Sequence, residues 1–186
     1  VHPGAFNERD PSFLACQHFE VEFFGKESHA AFAPELGINT LDAFVQAYVN
    51  VATFRQAMVS GDSIHCMISH GGDAVNVIPA YTRSEWLIRS ANVERLAELV
   101  PKVRACFEGA AIATGCRLGW EAKDHPYYNM VSNPVIAELY RVNSVSMDRP
   151  MPSEEEIGVS GGSSDMGNVS RLVPSIHPML GIECGG

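Results

Sequence analysis

Residues 19–24 read FEVEFF. Phe19, Val21 and Phe23 alternate with two glutamates, and this period of two is typical of a strand with one buried face. Turn residues bound the stretch, because Gly25 follows it directly. Further strands rich in β-branched and aromatic residues are predicted at 64–69, 81–89 (YTRSEWLIR) and 116–122 (CRLGWEA).

Two helices separate these strands. The first is predicted to begin at Thr40, with Asn39 or Thr40 as its N-cap, and to run to about Met58. Its apolar stripe, predicted to face the core or a dimer interface, is Leu41, Phe44, Val45, Tyr48 and Ala52. The second helix is predicted at 93–114, with Gly115 as its C-cap. Its apolar stripe is Leu96, Leu99, Val100, Val103, Phe107 and Ala110.

The resulting order, β-α-β-β-α-β, predicts an α+β domain of the ferredoxin-like type: a four-stranded antiparallel sheet with two helices on one face. We place this domain at 17–124. After it, Pro134 opens a short helix, and the Pro- and Glu-rich stretch 147–157 is predicted to be a surface loop. The glycine-rich stretch 158–167 (GVSGGSSDMG) is predicted to be a tight functional loop.

Composition narrows the function classes. The 186 residues carry a formal net charge of −9, which disfavours nucleic acid as a partner. No apolar run approaches the roughly 20 residues that cross a bilayer, so no membrane association is expected. The five cysteines are odd in number and lack C-x-x-C spacing, which favours free thiols in a reducing cytoplasm over a disulfide framework or a structural zinc site.

Four stretches in order resemble the M20 metallopeptidase family, and in particular its aminobenzoyl-glutamate hydrolase and β-alanyl-dipeptidase branch. They are 1–4 (VHPG), 25–39 (GKESHAAFAPELGIN), 71–79 (GGDAVNVIP) with Arg89, and 162–174 (GSSDMGNVSRLVP). Each stretch alone is weak, but their order and spacing cover nearly the whole chain.

The resemblance implies metal-dependent hydrolysis of an amide bond in N-acyl amino acids or dipeptides. It implies a catalytic domain with two zinc or manganese ions and an inserted ferredoxin-like lid that forms a homodimer. Segments 1–16 and 125–186 would then be incomplete parts of the catalytic domain, and 17–124 the lid. Most metal ligands and the general-base glutamate would lie outside this chain, so the fragment is expected to be inactive and to bind no metal.

The resemblance also implies roles for individual residues. His2 matches a metal ligand, and His29 matches a histidine that crosses to a second subunit and donates to the oxyanion. Asn76 and Arg89 match groups that hold the substrate carboxylate. The substrate loop would include Gly162, Ser163 and Ser164.

Each of these residues also has a structural interpretation. His2 could be a terminal histidine, His29 an exposed loop histidine, Asn76 a turn cap and Arg89 an exposed strand end. Of the remaining histidines, only His177, before Pro178 and near the glycine-rich loop, invites attention. For the whole chain, the alternatives are a free-standing ferredoxin-like regulatory module that binds small ligands and, much less favoured, an RNA-binding domain of similar topology, which would need basic charge.

Overall fold

The computed structural model describes residues 1–153 and 161–182. They form two compact units. The sheet unit comprises Gln17–Ser90 and Glu94–Pro126, and the flanking unit comprises Val1–Cys16, Ala91–Val93 and Tyr127–Gly186. The predicted assignment of 1–16 and 125–186 to a larger catalytic domain stays a prediction.

The elements follow the predicted order closely. The strands are β1 (His2–Gly4), β2 (Ala15–Phe24), β3 (Ser28–His29), β4 (Ser63–His70), β5 (Val77–Ile78), β6 (Tyr81–Ser90), β7 (Arg117–Ala122) and β8 (Met179–Gly181). The helices are α1 (Thr40–Phe54), α2 (Val93–Thr114), α3 (Pro134–Ser146) and α4 (Met166–Ser170). Among the helices of the described ranges, none is both long enough and apolar enough to pass through a lipid bilayer.

The sheet unit confirms the ferredoxin-like prediction. Its antiparallel sheet has the strand order β4-β6-β2-β7, so β4 and β7 are the edges. Register follows the alternating pattern: Val21 lies opposite Trp120, and Ile64 lies opposite Ile88. β2 begins at Ala15, four residues earlier than its period of two indicates, because Ala15 and Cys16 are both buried and break the alternation.

The core of this unit lies between the sheet and α2. The predicted stripe of α2 is confirmed: Leu99, Val103 and Phe107 are fully buried, and Phe107 meets Trp86 edge to face with ring centroids 4.8 Å apart. Trp86 itself donates its indole N–H to the Ser84 hydroxyl at 2.9 Å, so the core contains no unpaired indole.

The predicted stripe of α1 is half-buried or exposed in one copy of the chain. The buried positions of α1 are Thr40, Ala43, Ala47 and Val51. Val45, Tyr48 and Ala52, predicted for the core or a dimer interface, are instead exposed. The physical reason is close packing: small residues every four positions bring α1 near the sheet, and the larger apolar residues remain outside. The dimer-interface alternative for them stays open.

In the flanking unit, β1 and β8 pair in parallel, with His2 opposite Met179. The predicted loop over 158–167 is wrong at its end, because α4 begins at Met166. There the Ser164 hydroxyl accepts the Met166 N–H at 3.2 Å and starts the helix despite the glycines. Residues 158–160 of that loop, residues 154–157 of the predicted surface loop and Cys184 lie outside the described residues. The four cysteines that are described are free.

Candidate active site

A two-stranded ribbon in the sheet unit brings His29 and Asn76 together. β3 and β5 pair antiparallel with His29 opposite Val77, and the Ala30 N–H donates to the Asn76 carbonyl at 2.9 Å. Gly25 permits this arrangement, because a Cβ there would lie 2.1 Å from the Ile38 carbonyl oxygen that the ribbon's base packs against. The backbone therefore presents both exposed side chains from one small, hydrogen-bonded element.

The imidazole of His29 is held in one orientation. Its Nδ1 accepts the Ala31 N–H at 3.2 Å, so the proton of the neutral ring sits on Nε2. The ring lies against Phe32, with centroids 4.4 Å apart, and Phe32 is 86% exposed. An exposed Nε2–H donor on a fixed ring is the geometry that oxyanion stabilisation requires.

The loop before Asn76 borders an open cavity of about 400 Å³. Gly72 turns this loop with φ of 121°, a left-handed value that favours glycine. Leu41 and Pro79 contribute apolar surface to the cavity. Asp73 contributes a carboxylate, whose Oδ1 lies 3.7 Å from Nε2 of His70. The two sequence neighbours of Asn76, Val75 and Val77, line this cavity, which is large enough for a small side chain.

Arg89 and Asn76 lie in different parts of the sheet unit. Arg89 is opposite Ser63 near the last residue of β6, whereas Asn76 precedes β5, before β6 begins at Tyr81. The eight-residue step from Tyr81 to Arg89 covers about 26 Å at the rise of a strand. Asn76 thus precedes the first residue of β6, whereas Arg89 lies at the other end of that strand.

The open face of the sheet carries paired charges. Glu20 pairs with Arg83, and Glu85 accepts from Lys123 and His18, each at 3.2 Å. The Tyr81 hydroxyl donates to Glu22 at 2.5 Å, and this bond raises the pKa of Tyr81 to about 12. Because these side chains are paired with one another, we do not assign them as the primary contacts to a ligand.

In the glycine-rich loop of the flanking unit, some polar groups form hydrogen bonds that hold the fold, and one hydroxyl has no such bond within the described ranges. The Gly162 carbonyl accepts the Leu14 N–H at 2.8 Å, and Ser164 starts α4 as described above. The Ser163 hydroxyl is buried without a hydrogen-bond partner among the described residues. Of the three predicted substrate-loop residues, Ser163 is the one whose side chain still offers a hydrogen bond.

Sequence reasoning assigned no role to the second half of this motif, and the structure supplies one. The Asn168 amide oxygen accepts the Tyr128 N–H at 2.9 Å, and the Ser170 hydroxyl accepts the Val131 N–H at 3.0 Å. Gly167 lies against the backbone of Tyr128. This part of the motif binds an extended segment of chain; the missed signal was the small and polar residues at positions 1, 2 and 4 of GNVS.

His2 fits the role of a metal ligand. Its Nδ1 lies 2.6 Å from the Pro3 carbonyl oxygen, so Nδ1 carries a proton and Nε2 keeps a free lone pair. A ligating histidine usually donates its second N–H to a carbonyl or carboxylate in this way. Within 1–153 and 161–182, no three His, Cys, Asp or Glu side chains group as a metal cluster.

His177 lies beside His2, which sequence reasoning did not foresee. The ring of His177 stacks on Phe13 at 4.8 Å and meets the ring of His2 edge to face at 6.2 Å. Burial lowers the pKa of His177. The only sequence signal was its place before Pro178, close to the glycine-rich loop.

The sheet unit and its ribbon belong to a known class of domain. Residues 17–114 match the peptidase dimerisation domain of the M20 family. The chain belongs to the M20 peptidase family, as the four ordered sequence stretches indicated.

Curated relatives extend over both units. The chain is 37% identical over 179 residues to the Xaa-Arg dipeptidase of Mus musculus and 36% identical over 183 residues to that of Homo sapiens. These matches cover 96% and 98% of this chain and 42% of each relative. The chain therefore spans less than half the length of the curated relatives it matches.

Solved structures share the fold at low identity. An aminobenzoyl-glutamate utilization protein from Klebsiella pneumoniae matches 92% of this chain and 45% of its own, with a TM-score of 0.70 and 17% identity. A hydantoinase/carbamoylase family amidase from Burkholderia vietnamiensis matches 94% of this chain and 41% of its own, with a TM-score of 0.77 and 16% identity.

Proposed function

We propose that the complete protein hydrolyses an amide bond in dipeptides or N-acyl amino acids and does so as a homodimer. The observation that carries the proposal is the exposed Nε2–H of His29, fixed by the Ala31 N–H on the ribbon that also presents Asn76. The dipeptidase names of the curated relatives support the same reaction class.

The chemistry of each candidate residue of this chain suits a different role in the proposed reaction. Two divalent ions, zinc or manganese, would polarise the carbonyl and activate water when bound, with His2 as one ligand. His29 donates a hydrogen bond to the carbonyl oxygen as negative charge develops on it. Arg89 grips the terminal carboxylate with its planar guanidinium, and Asn76 adds an amide donor.

In this proposal, the joint action of Asn76 and Arg89 on one substrate requires two copies of the chain. Asn76 precedes β6 in the chain, Arg89 lies near its last residue, and the strand between Tyr81 and Arg89 is about 26 Å long at strand rise, far longer than a substrate carboxylate is wide. The ribbon of one copy and the Arg89 end of another can meet on one substrate. In this arrangement each dimer has two sites, and each site draws residues from both copies.

The sheet unit offers a surface for such a dimer. β4 is an edge strand, with Met67 and Ile68 58% and 42% exposed. α1 exposes Val45 and Val49, and Arg55 just after it donates to the Ile64 carbonyl of β4 at 3.3 Å. An unpaired strand edge beside exposed apolar side chains favours pairing with a second copy about a two-fold axis.

Among substrates, dipeptides with a basic C-terminal residue are the ones we favour. The curated relatives of highest identity given above are Xaa-Arg dipeptidases. The net charge of −9 attracts cations and raises their rate of encounter. A free-standing regulatory module would not need the flanking unit, so nothing favours that alternative. A cytoplasmic location stays a prediction.

Subunit complementation tests the proposal directly. His2→Ala and His29→Ala versions of the complete protein should each be inactive as homodimers. When they exchange subunits, one site of each mixed dimer regains an intact His2 and an intact His29, so hydrolysis of an Xaa-Arg dipeptide should return. Failure of the mixture to exceed the two parents, with subunit exchange verified, would exclude a site shared between copies. A wild-type protein inactive on dipeptides and N-acyl amino acids with either metal would exclude the reaction itself.

A further inference from the structure

The flanking unit holds a second imidazole next to the candidate metal ligand. The His2 N–H donates to the Pro178 carbonyl at 3.0 Å, which fixes the backbone of His177 relative to that of His2. Stacking on Phe13, itself only 7% exposed, fixes the plane of the His177 ring. Backbone and ring contacts together leave this side chain little freedom.

The two nitrogens of His177 differ in surroundings. Nδ1 is buried and has no hydrogen-bond partner among the described residues, whereas Nε2 is not among the buried unpaired atoms. Orphaned buried N–H donors are rarer in proteins than under-satisfied acceptors. The favoured neutral tautomer therefore leaves a lone pair on Nδ1 and places the proton on accessible Nε2.

His177 also lies beside the candidate metal ligand. Its ring meets the ring of His2 edge to face, with centroids 6.2 Å apart. A ligand held at His2 would therefore lie close to this imidazole. A hydrogen-bond donor in that place faces oxygen atoms of the substrate.

We propose that His177 is a substrate-binding residue, whose Nε2–H donates to an oxygen of the reacting acyl group beside His2: the carbonyl before cleavage and the new carboxylate after it. The inference rests on the proposed hydrolase function and deepens it. It makes His177 a second donor at the end of the substrate that His29 approaches from the other copy.

Two variants of the complete homodimer separate donation from packing. His177→Phe keeps a flat ring on Phe13 and has no N–H, whereas His177→Gln loses the ring and keeps an amide donor. His125→Ala, an exposed histidine of the sheet unit, is the control. Thermal melting verifies that each variant folds.

Three readouts are needed: kcat and KM on an Xaa-Arg dipeptide, calorimetric titration of zinc into the metal-free protein, and calorimetric titration of the acyl-side product amino acid into the zinc-loaded protein. We expect His177→Phe to lower kcat/KM by about 10- to 100-fold, within the range for loss of one donor. Product affinity should fall by about tenfold, zinc affinity should stay within about twofold of wild type, and His177→Gln should recover part of both losses.

The outcomes distinguish this inference from the proposed function. Wild-type kcat/KM and product binding in folded His177→Phe would overturn it, because only packing would remain. A large loss of zinc affinity would overturn it in favour of metal ligation. If the wild-type protein hydrolyses nothing, the proposed function fails, and the product titration still decides whether His177 binds a carboxylate beside His2.

Discussion

Gly167 lies so close to Tyr128 that a Cβ on the glycine would come within 1.8 Å of the Tyr128 carbonyl oxygen. The approach is between two backbones, so no side chain can rotate away to relieve a clash. Together with the Asn168–Tyr128 hydrogen bond, it fastens α4 to the extended segment 128–131.

Gly167→Ala should therefore destabilise the flanking unit by about 3 kcal/mol, the upper range of overpacking. Urea unfolding of the complete protein measures the change. Gly161→Ala is the matched control, because no heavy atom of residues 1–153 or 161–182 lies within 4 Å of the position of its Cβ, and it should unfold like wild type. Equal stability of the two variants would contradict the close approach.

Asp62 gives the sheet unit a pH dependence. Burial alone would raise the pKa of Asp62, but hydrogen bonds from Arg95, Ser90 and the Val59 N–H outweigh burial and hold the pKa below its ordinary 3.8. A lowered pKa in the folded state stabilises the fold above the unfolded pKa, and this contribution disappears as the pH falls through the folded value.

Asp62→Asn should accordingly cost about 2 kcal/mol at neutral pH, typical of hydrogen bonds to a charged group. The difference from wild type should remain constant from pH 7 to about pH 5 and shrink below about pH 4. Free energies of unfolding against pH test this, with exposed Asp124→Asn as control. A difference that persists unchanged to the lowest pH would show that ionisation of Asp62 is not its source.

The exposed apolar residues of α1 should control assembly. Val45→Glu keeps a good helix former, so folding should survive, but across a two-fold axis it would bury a carboxylate from each copy. Light scattering of the complete protein should then report monomers instead of dimers. Ile112→Glu is the control: Ile112 of α2 is 83% exposed, and this variant should remain dimeric. A dimeric Val45→Glu protein would move the interface elsewhere.

Arg89→Lys tests the carboxylate grip. Lysine keeps the charge but loses the planar pair of donors, so KM for a dipeptide should rise about tenfold, the effect of roughly 1.4 kcal/mol, while kcat changes little. The control is a change of substrate: a dipeptide with an amidated C-terminus should bind both proteins equally weakly. An equal rise in KM for the acid and the amide would mean that Arg89 acts on something other than the carboxylate.

Much of the fold was accessible from the sequence because its signals are local. The alternation of Phe19, Val21 and Phe23 and the stripe through Leu99 and Phe107 reflect periods that any strand or helix must obey. The outward face of α1 was not accessible in the same way. There, large residues such as Tyr48 form a regular stripe, but the closest packing against the sheet selects the smaller Ala43 and Ala47.

The site was partly accessible for a related reason. His29, Asn76 and the glycine-rich loop stand in recognisable motifs, while their backbone pairing and the separation of Asn76 from Arg89 depend on the register of distant strands. His177 shows the limit: its neighbour His2 is 175 positions away, and no local pattern connects them. Their roles in a reaction stay predictions until the variants above are measured.

The length of β6 has a kinetic consequence. If one strand keeps the ribbon and the guanidinium too far apart to serve one molecule of substrate, an isolated copy can hold a ligand but cannot turn it over. Specific activity would then be proportional to the fraction of copies in dimers and would fall on dilution. The concentration of the protein in the cell would in this way determine its activity per copy.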